Sequence, residues 1–172
     1  MDGIRIRQMR PEDESTINAA FVSQGWDARP GLFLRYIDEE RQGLRQTFVA
    51  EREGTLLGYV TLLREAVHGP FAGRKWPEVS DFNVLIAYQR RGVGTQLMDA
   101  AEAAAAAFSD VVTIGVGLAP GYGTAQRMYV KRGYIPDGSG VWYRNEQLPY
   151  YAPCCNDDDL VLYFSKPTRR AE

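Results

Sequence analysis

One stretch of this sequence has the residue types and spacing of a phosphate site: Val84-Leu85-Ile86-Ala87-Tyr88-Gln89-Arg90-Arg91-Gly92-Val93-Gly94-Thr95. An apolar run passes through a tight basic turn into what reads as a long helix. Gly92 and Gly94 remove side chains where the backbone could approach a ligand closely. The first amides of a helix lack partners within it and sit at the positive end of its dipole. Such a junction suits a diphosphate, and Arg90 and Arg91 add charge. The P-loop spacing is absent, because the basic residues precede the glycines and no lysine follows them. The dinucleotide spacing fails too, since Leu97 stands where a third glycine belongs. A glycine-rich turn feeding a core helix is the bland alternative. Just upstream, Glu78 and Asp81 are carboxylates near the end of a strand, where a solvated charge is the ordinary reading. Asp81 and Asn83 fall on one strand face, opposite Phe82 and Val84.

These residues need elements to hold them. Ile4 to Met9 alternates as a strand. Pro11 then opens a helix with Glu12, Asp13 and Glu14 in its first turn and Ile17, Ala20 and Phe21 on one face. A second helix spans Gly31 to Arg41, stopped by Gly43. Thr47 to Glu51 and Thr55 to Leu63 form a hairpin around Arg52-Glu53-Gly54. Val79 to Val84 is a strand, Val93 to Phe108 an alanine-rich helix and Val111 to Val116 a β-branched strand. A short helix covers Thr124 to Arg132, with Gly133 as its C-cap. Val141 to Arg144 and Leu160 to Phe164 are the last strands. The order β-α-α-β-β-β-α-β-α-β-β predicts an α/β fold with a mixed sheet.

Composition narrows the field. The 172 residues, 45% hydrophobic and 24% charged, predict one domain over 1–172. Twenty Lys and Arg against twenty-two Asp and Glu give a charge of −2, which argues against a nucleic-acid or anionic-membrane surface. The start lacks the apolar segment of a secretory signal, and no run is long enough to span a membrane, so a cytoplasmic location is expected. One histidine, His68, and an adjacent pair, Cys154 and Cys155, match no metal site or disulfide framework. No metal is expected.

Gln89-x-x-Gly92-x-Gly94 after a strand ending in Val84 resembles motif A of the GCN5-related N-acetyltransferases, the GNAT family. Val84 lies eight residues before Gly92, as at the end of that family's fourth strand. Ala125-Gln126-Arg127-Met128-Tyr129-Val130-Lys131-Arg132-Gly133-Tyr134 resembles a second family motif, in the right order and on the right element. Ile86 replaces a frequent proline, and Tyr122 stands where an asparagine near the pantetheine arm is common.

The resemblance implies a single-domain GNAT-like fold with a mixed, mostly antiparallel sheet flanked by helices, its fourth and fifth strands splayed to hold CoA. It implies acetyl transfer from acetyl-CoA to a primary amine by direct attack in a ternary complex, the acceptor being a small amine or a peptide amine. The diphosphate would lie on Gln89, Arg90, Arg91, Gly92, Val93, Gly94 and Thr95. The pantetheine would pair with Val84, Leu85 and Ile86 and with the end of the next strand, 116–118. An amide at Val84 or Leu85 would polarise the thioester carbonyl. Tyr129 would offer its hydroxyl to the departing sulfur, and Glu78, Asp81 or water would take the amine's proton. Trp26, Tyr36 and Trp76 could wall the acceptor side, with core packing as their default. Asp157-Asp158-Asp159 reads as a solvated turn or a lure for a cationic acceptor. A non-catalytic acyl-CoA-binding sensor is the rival reading. Self-association as a homodimer stays open.

Overall fold

The computed structural model describes residues 3–168. In chain order it contains β1 (Arg5–Gln8), α1 (Asp13–Ser23), α2 (Leu32–Arg41), β2 (Arg45–Arg52), β3 (Thr55–Leu63), β4 (Glu78–Val84), α3 (Val93–Ala106), β5 (Val111–Gly117), α4 (Gly123–Lys131), β6 (Ile135–Tyr143), β7 (Glu146–Gln147) and β8 (Leu160–Pro167). This is the expected α/β class. The chain divides into two compact units, Met1–Arg64 with Val79–Ala104 and Glu65–Glu78 with Ala105–Glu172.

In the first unit the strands neighbour one another in the order β1-β2-β3-β4. The β1–β2 and β2–β3 pairs are antiparallel. Its core gathers Ile17 and Phe21 of α1, Phe33 of α2, Val49 of β2 and Tyr59 of β3, none more than 1% exposed. The rings interlock edge to face, Phe33 on Tyr59 at 5.2 Å and Phe21 on Trp26 at 5.1 Å. Burying one such side chain stabilises a fold by about 1.5–3 kcal/mol, so this cluster fixes α1 and α2 against β2 and β3.

The carboxylates expected at the start of α1 are put to tertiary use. Asp13 is 4% exposed, takes both terminal nitrogens of Arg7 at 2.7 and 2.8 Å and accepts the Arg10 amide at 2.7 Å. Glu14 crosses to α2, whose N-terminus has no cap of its own, and accepts the amides of Gly31 and Leu34 at 2.7 and 2.9 Å. Gly58, inside β3, is required by its neighbour. A Cβ there would lie 2.5 Å from the Asn83 carbonyl oxygen and 2.9 Å from Val84 Cα.

In the second unit the order is β5-β8-β6-β7. All three of its pairs are antiparallel. Two features here escape sequence reading. β6 starts at Ile135 instead of Val141, because Pro136 and the left-handed Gly138 and Gly140 disguise its first half. The register against β8 is irregular between Pro136 and Val141. β7 follows a turn in which Arg144 and Asn145 both have positive φ, 52° and 67°, the conformation of a two-residue hairpin turn without its usual glycine. Among the described residues no helix is long and apolar enough to cross a membrane.

Candidate active site

The glycine turn folds as its spacing predicts. Arg90 (φ 57°) and Gly92 (φ 81°) are both left-handed, which tightens the reversal between the end of β4 and α3. The Gly92 carbonyl accepts the Gln96 amide at 3.2 Å, so Gly92 is the N-cap. The amides of Val93, Gly94 and Thr95 are therefore the first-turn donors that α3 cannot use itself. Arg90 and Arg91 are exposed beside them. Val93, Leu97, Met98, Ala101 and Ala105 form a stripe no more than 2% exposed, which fixes the axis of the helix. Gln89 plays a structural part. Its Nε2 donates to the Val84 carbonyl at 3.0 Å and ties the turn back to β4.

The amides at the end of β4 are not equivalent. Leu85 donates its N–H to the Leu57 carbonyl at 3.0 Å, and Ile86 donates to Oε1 of Gln24 at 3.0 Å. Both are engaged within the chain. Successive amides of an extended strand turn to opposite edges, so the Val84 N–H points away from β3. Of the two residues considered for polarising a carbonyl, Val84 is the one so turned.

Asp81 proves to be the centre of a polar network. It sits at φ 43° within β4, a conformation that Asp tolerates better than most residues. Tyr36 donates to its Oδ2 at 3.0 Å, the Tyr59 hydroxyl lies 3.1 Å from both oxygens, and Asn83 Nδ2 reaches Oδ1 at 2.9 Å. Asp81 and Asn83 thus share a face, as the alternation predicts. Arg29, from the loop between α1 and α2, places Nη1 at 3.0 Å from Oδ1. Its main chain is pinned separately, the Arg29 amide donating to Asn18 Oδ1 at 2.5 Å. Burial, with the Asp81 charge behind it, pushes the Tyr36 and Tyr59 hydroxyls well above the usual phenol range, so both remain neutral donors. Tyr36 is steadied from its other side by Arg45, whose guanidinium lies 4.1 Å from the ring centroid.

The second unit holds Tyr129 and Glu78. Tyr129 lies on α4, is 4% exposed and packs edge to face on Tyr134 at 5.9 Å. Burial, with a smaller push from Tyr122, raises its hydroxyl well above the ordinary phenol range. Gln126, on the same helix, donates Nε2 to the Gly117 carbonyl at 2.8 Å. Tyr122, the departure from the family asparagine, lies over Gly117, where a Cβ would come within 2.5 Å of the ring, and donates to Asp158 at 2.7 Å. The glycine at the end of β5 thus makes room for Tyr122. Glu78 is half-buried near Tyr163, whose hydroxyl is pushed up to about 12 by burial and then by the charges of Glu78 and Asp137.

The remaining candidates fall into place. Trp26 and Tyr36 belong to the first unit's core, and Trp76 packs on Phe71 in the second. His68, Cys154 and Cys155 are exposed. The acidic triplet is occupied: Asp157 accepts from Tyr143 at 3.2 Å, Asp158 from Tyr122, and Asp159 faces Arg144 at 3.8 Å. Sequence reading missed Arg29, Tyr59 and Gln24. Tyr59 is hidden in a continuous apolar run, and only Gly58 beside it signals a close neighbour.

Comparison with known proteins decides the family. The model of the acetyltransferase (GNAT) family matches residues 11–134, which includes both motifs. The chain belongs to the GNAT family. Solved structures share its fold. Ard1 from Thermoplasma volcanium is 19% identical, with a TM-score of 0.70 over 96% of this chain and 98% of that one. The ribosomal-protein-S18-alanine N-acetyltransferase from Escherichia coli is 12% identical, with a TM-score of 0.67 over 98% and 96%. The yncA protein from Salmonella typhimurium, solved with its cofactor acetyl-CoA, is 17% identical, with a TM-score of 0.66 over 96% and 94%. No curated protein sequence matches the chain. Membership makes acetyl transfer the activity class of this GNAT protein.

Proposed function

We propose that the chain is an N-acetyltransferase that moves the acetyl group of acetyl-CoA to a primary amine by direct attack, both substrates being bound together. The acceptor is a small amine or a peptide amine. The observation that carries this reading is Tyr129, the motif tyrosine, buried on α4. A domain that only sensed CoA would have no need of a proton donor there.

Acetyl-CoA supplies the activated thioester, and the chain supplies binding, orientation and proton movements. The amides of Val93, Gly94 and Thr95, with Arg90 and Arg91, hold the diphosphate. The Val84 N–H steadies the charge that develops on the carbonyl oxygen. A lysine-like amine, with a pKa near ~10, must lose a proton before it attacks. Glu78 takes that proton, directly or through water. Asp81 is less suited to this role, because its oxygens already accept from Tyr36, Asn83 and Arg29, with Tyr59 alongside. The carbon–nitrogen bond forms, the carbon–sulfur bond breaks, and Tyr129 gives its proton to the sulfur. The exposed Cys154 and Cys155 have no part, since direct attack needs no enzyme thiol.

The test is Tyr129→Phe, which removes one hydroxyl and keeps the ring. Single-turnover acetyl transfer should slow by ~10²-fold, the lower part of the range for a positioned acid, because a thiolate leaves tolerably unaided. CoA affinity and the melting curve should stay near the parent's. An unchanged rate in a folded protein would make Tyr129 a core residue.

A further inference from the structure

We propose that Asp81 and its tyrosines form a subsite for a cationic group of the acceptor, and that Arg29 fills this subsite from within the chain until the acceptor displaces it. The inference rests on the acetyltransferase reading and names the acceptor class for it: an amine with a guanidinium or second ammonium group.

The network is asymmetric. Tyr36, Tyr59 and Asn83 are neutral donors fixed by burial and by β4, and they orient the carboxylate without cancelling its charge. The charge is met by Arg29 alone among these partners, at 3.0 Å. The Arg29 side chain is 44% exposed against 13% for Asp81, so the cation approaches from the solvent side. It also lies 5.5 Å from the Phe21 ring centroid, an aromatic contact open equally to any alkylated cation. Ion pairs this exposed are weak. Because the Arg29 main chain is anchored independently, its guanidinium can leave by side-chain rotation, without refolding of the loop. What remains is a carboxylate held by two hydroxyls and an amide beside an aromatic face, a receptor for one positive group.

The experiment measures direct binding, by calorimetry, of agmatine and of n-butylamine, which shares its primary amine but lacks the guanidinium. Arg29→Gln should tighten agmatine by ~2–5-fold, the worth of the weak ion pair it no longer has to displace, and leave n-butylamine unaffected. In an Asp81→Asn background the same Arg29→Gln change should leave agmatine affinity unchanged, because neither cation then has a carboxylate to compete for. Equal or weaker agmatine binding by folded Arg29→Gln would overturn the proposal, whatever Asp81→Asn does. Turnover of acetyl-CoA with a panel of primary amines that includes agmatine is followed in parallel. Its absence would sink the acetyltransferase reading and leave the binding result to judge the subsite.

Discussion

Gly92→Glu is expected to abolish measurable acetyl-CoA binding while the protein still folds. Gly92 caps α3 with a left-handed backbone, so any side chain there carries a strain of order 1 kcal/mol, tolerable for a helix anchored by a buried stripe. Glutamate adds a negative charge where the diphosphate should lie. Two unit charges about 4 Å apart near a protein surface interact by about 4 kcal/mol, a loss of ~10³-fold in affinity. Gly92→Ala bears the same strain without the charge, and should retain most of the binding. Calorimetry on both folded variants separates the causes. Near-normal affinity in Gly92→Glu would mean that the turn does not hold the diphosphate.

Glu78→Gln should lower the rate of acetyl transfer by ~10²–10⁴-fold at neutral pH, the contribution of a positioned base. The sign of its pH dependence follows from the acceptor. Below the amine's pKa, near ~10, nearly all the acceptor is protonated and a base is needed; as pH rises through that value the free amine accumulates and the deficit shrinks. A pH–rate series in which Glu78→Gln tracks the parent throughout would leave water as the base.

The parts of this site that are legible in the sequence are the local ones. The turn from Gln89 to Thr95 is contiguous, and its capping residue, first amides and helix stripe all lie within one span of chain. Tyr129 is legible for the same reason, carried by a motif on one helix. Beyond Asn83 the Asp81 network is not, because its other partners stand 22, 45 and 52 residues away, at Tyr59, Tyr36 and Arg29. No periodicity links them. They meet only because Phe21, Phe33 and Tyr59 pack α1, α2 and β3 together and because Gly58 lets β4 approach. β6 is only half visible for the opposite reason: its glycines and Pro136 read locally as turn, and pairing with β8 overrides them. Gln89 shows a subtler gap. Its place in a phosphate motif suggests a ligand contact, whereas its side chain is used to fasten the turn to the Val84 carbonyl.

The central claim is acetyl transfer to an amine, and acetyl-CoA turnover with product analysis tests it most directly. The purified chain is given acetyl-CoA and a panel of diamines, aminoguanidines, amino acids and peptides, with free thiol and N-acetylated product measured together. The account predicts thiol release only when an amine is present, matched one for one by N-acetyl product, with no acetylated protein forming beforehand. Tight CoA binding without turnover on any amine would contradict it and make the chain a sensor.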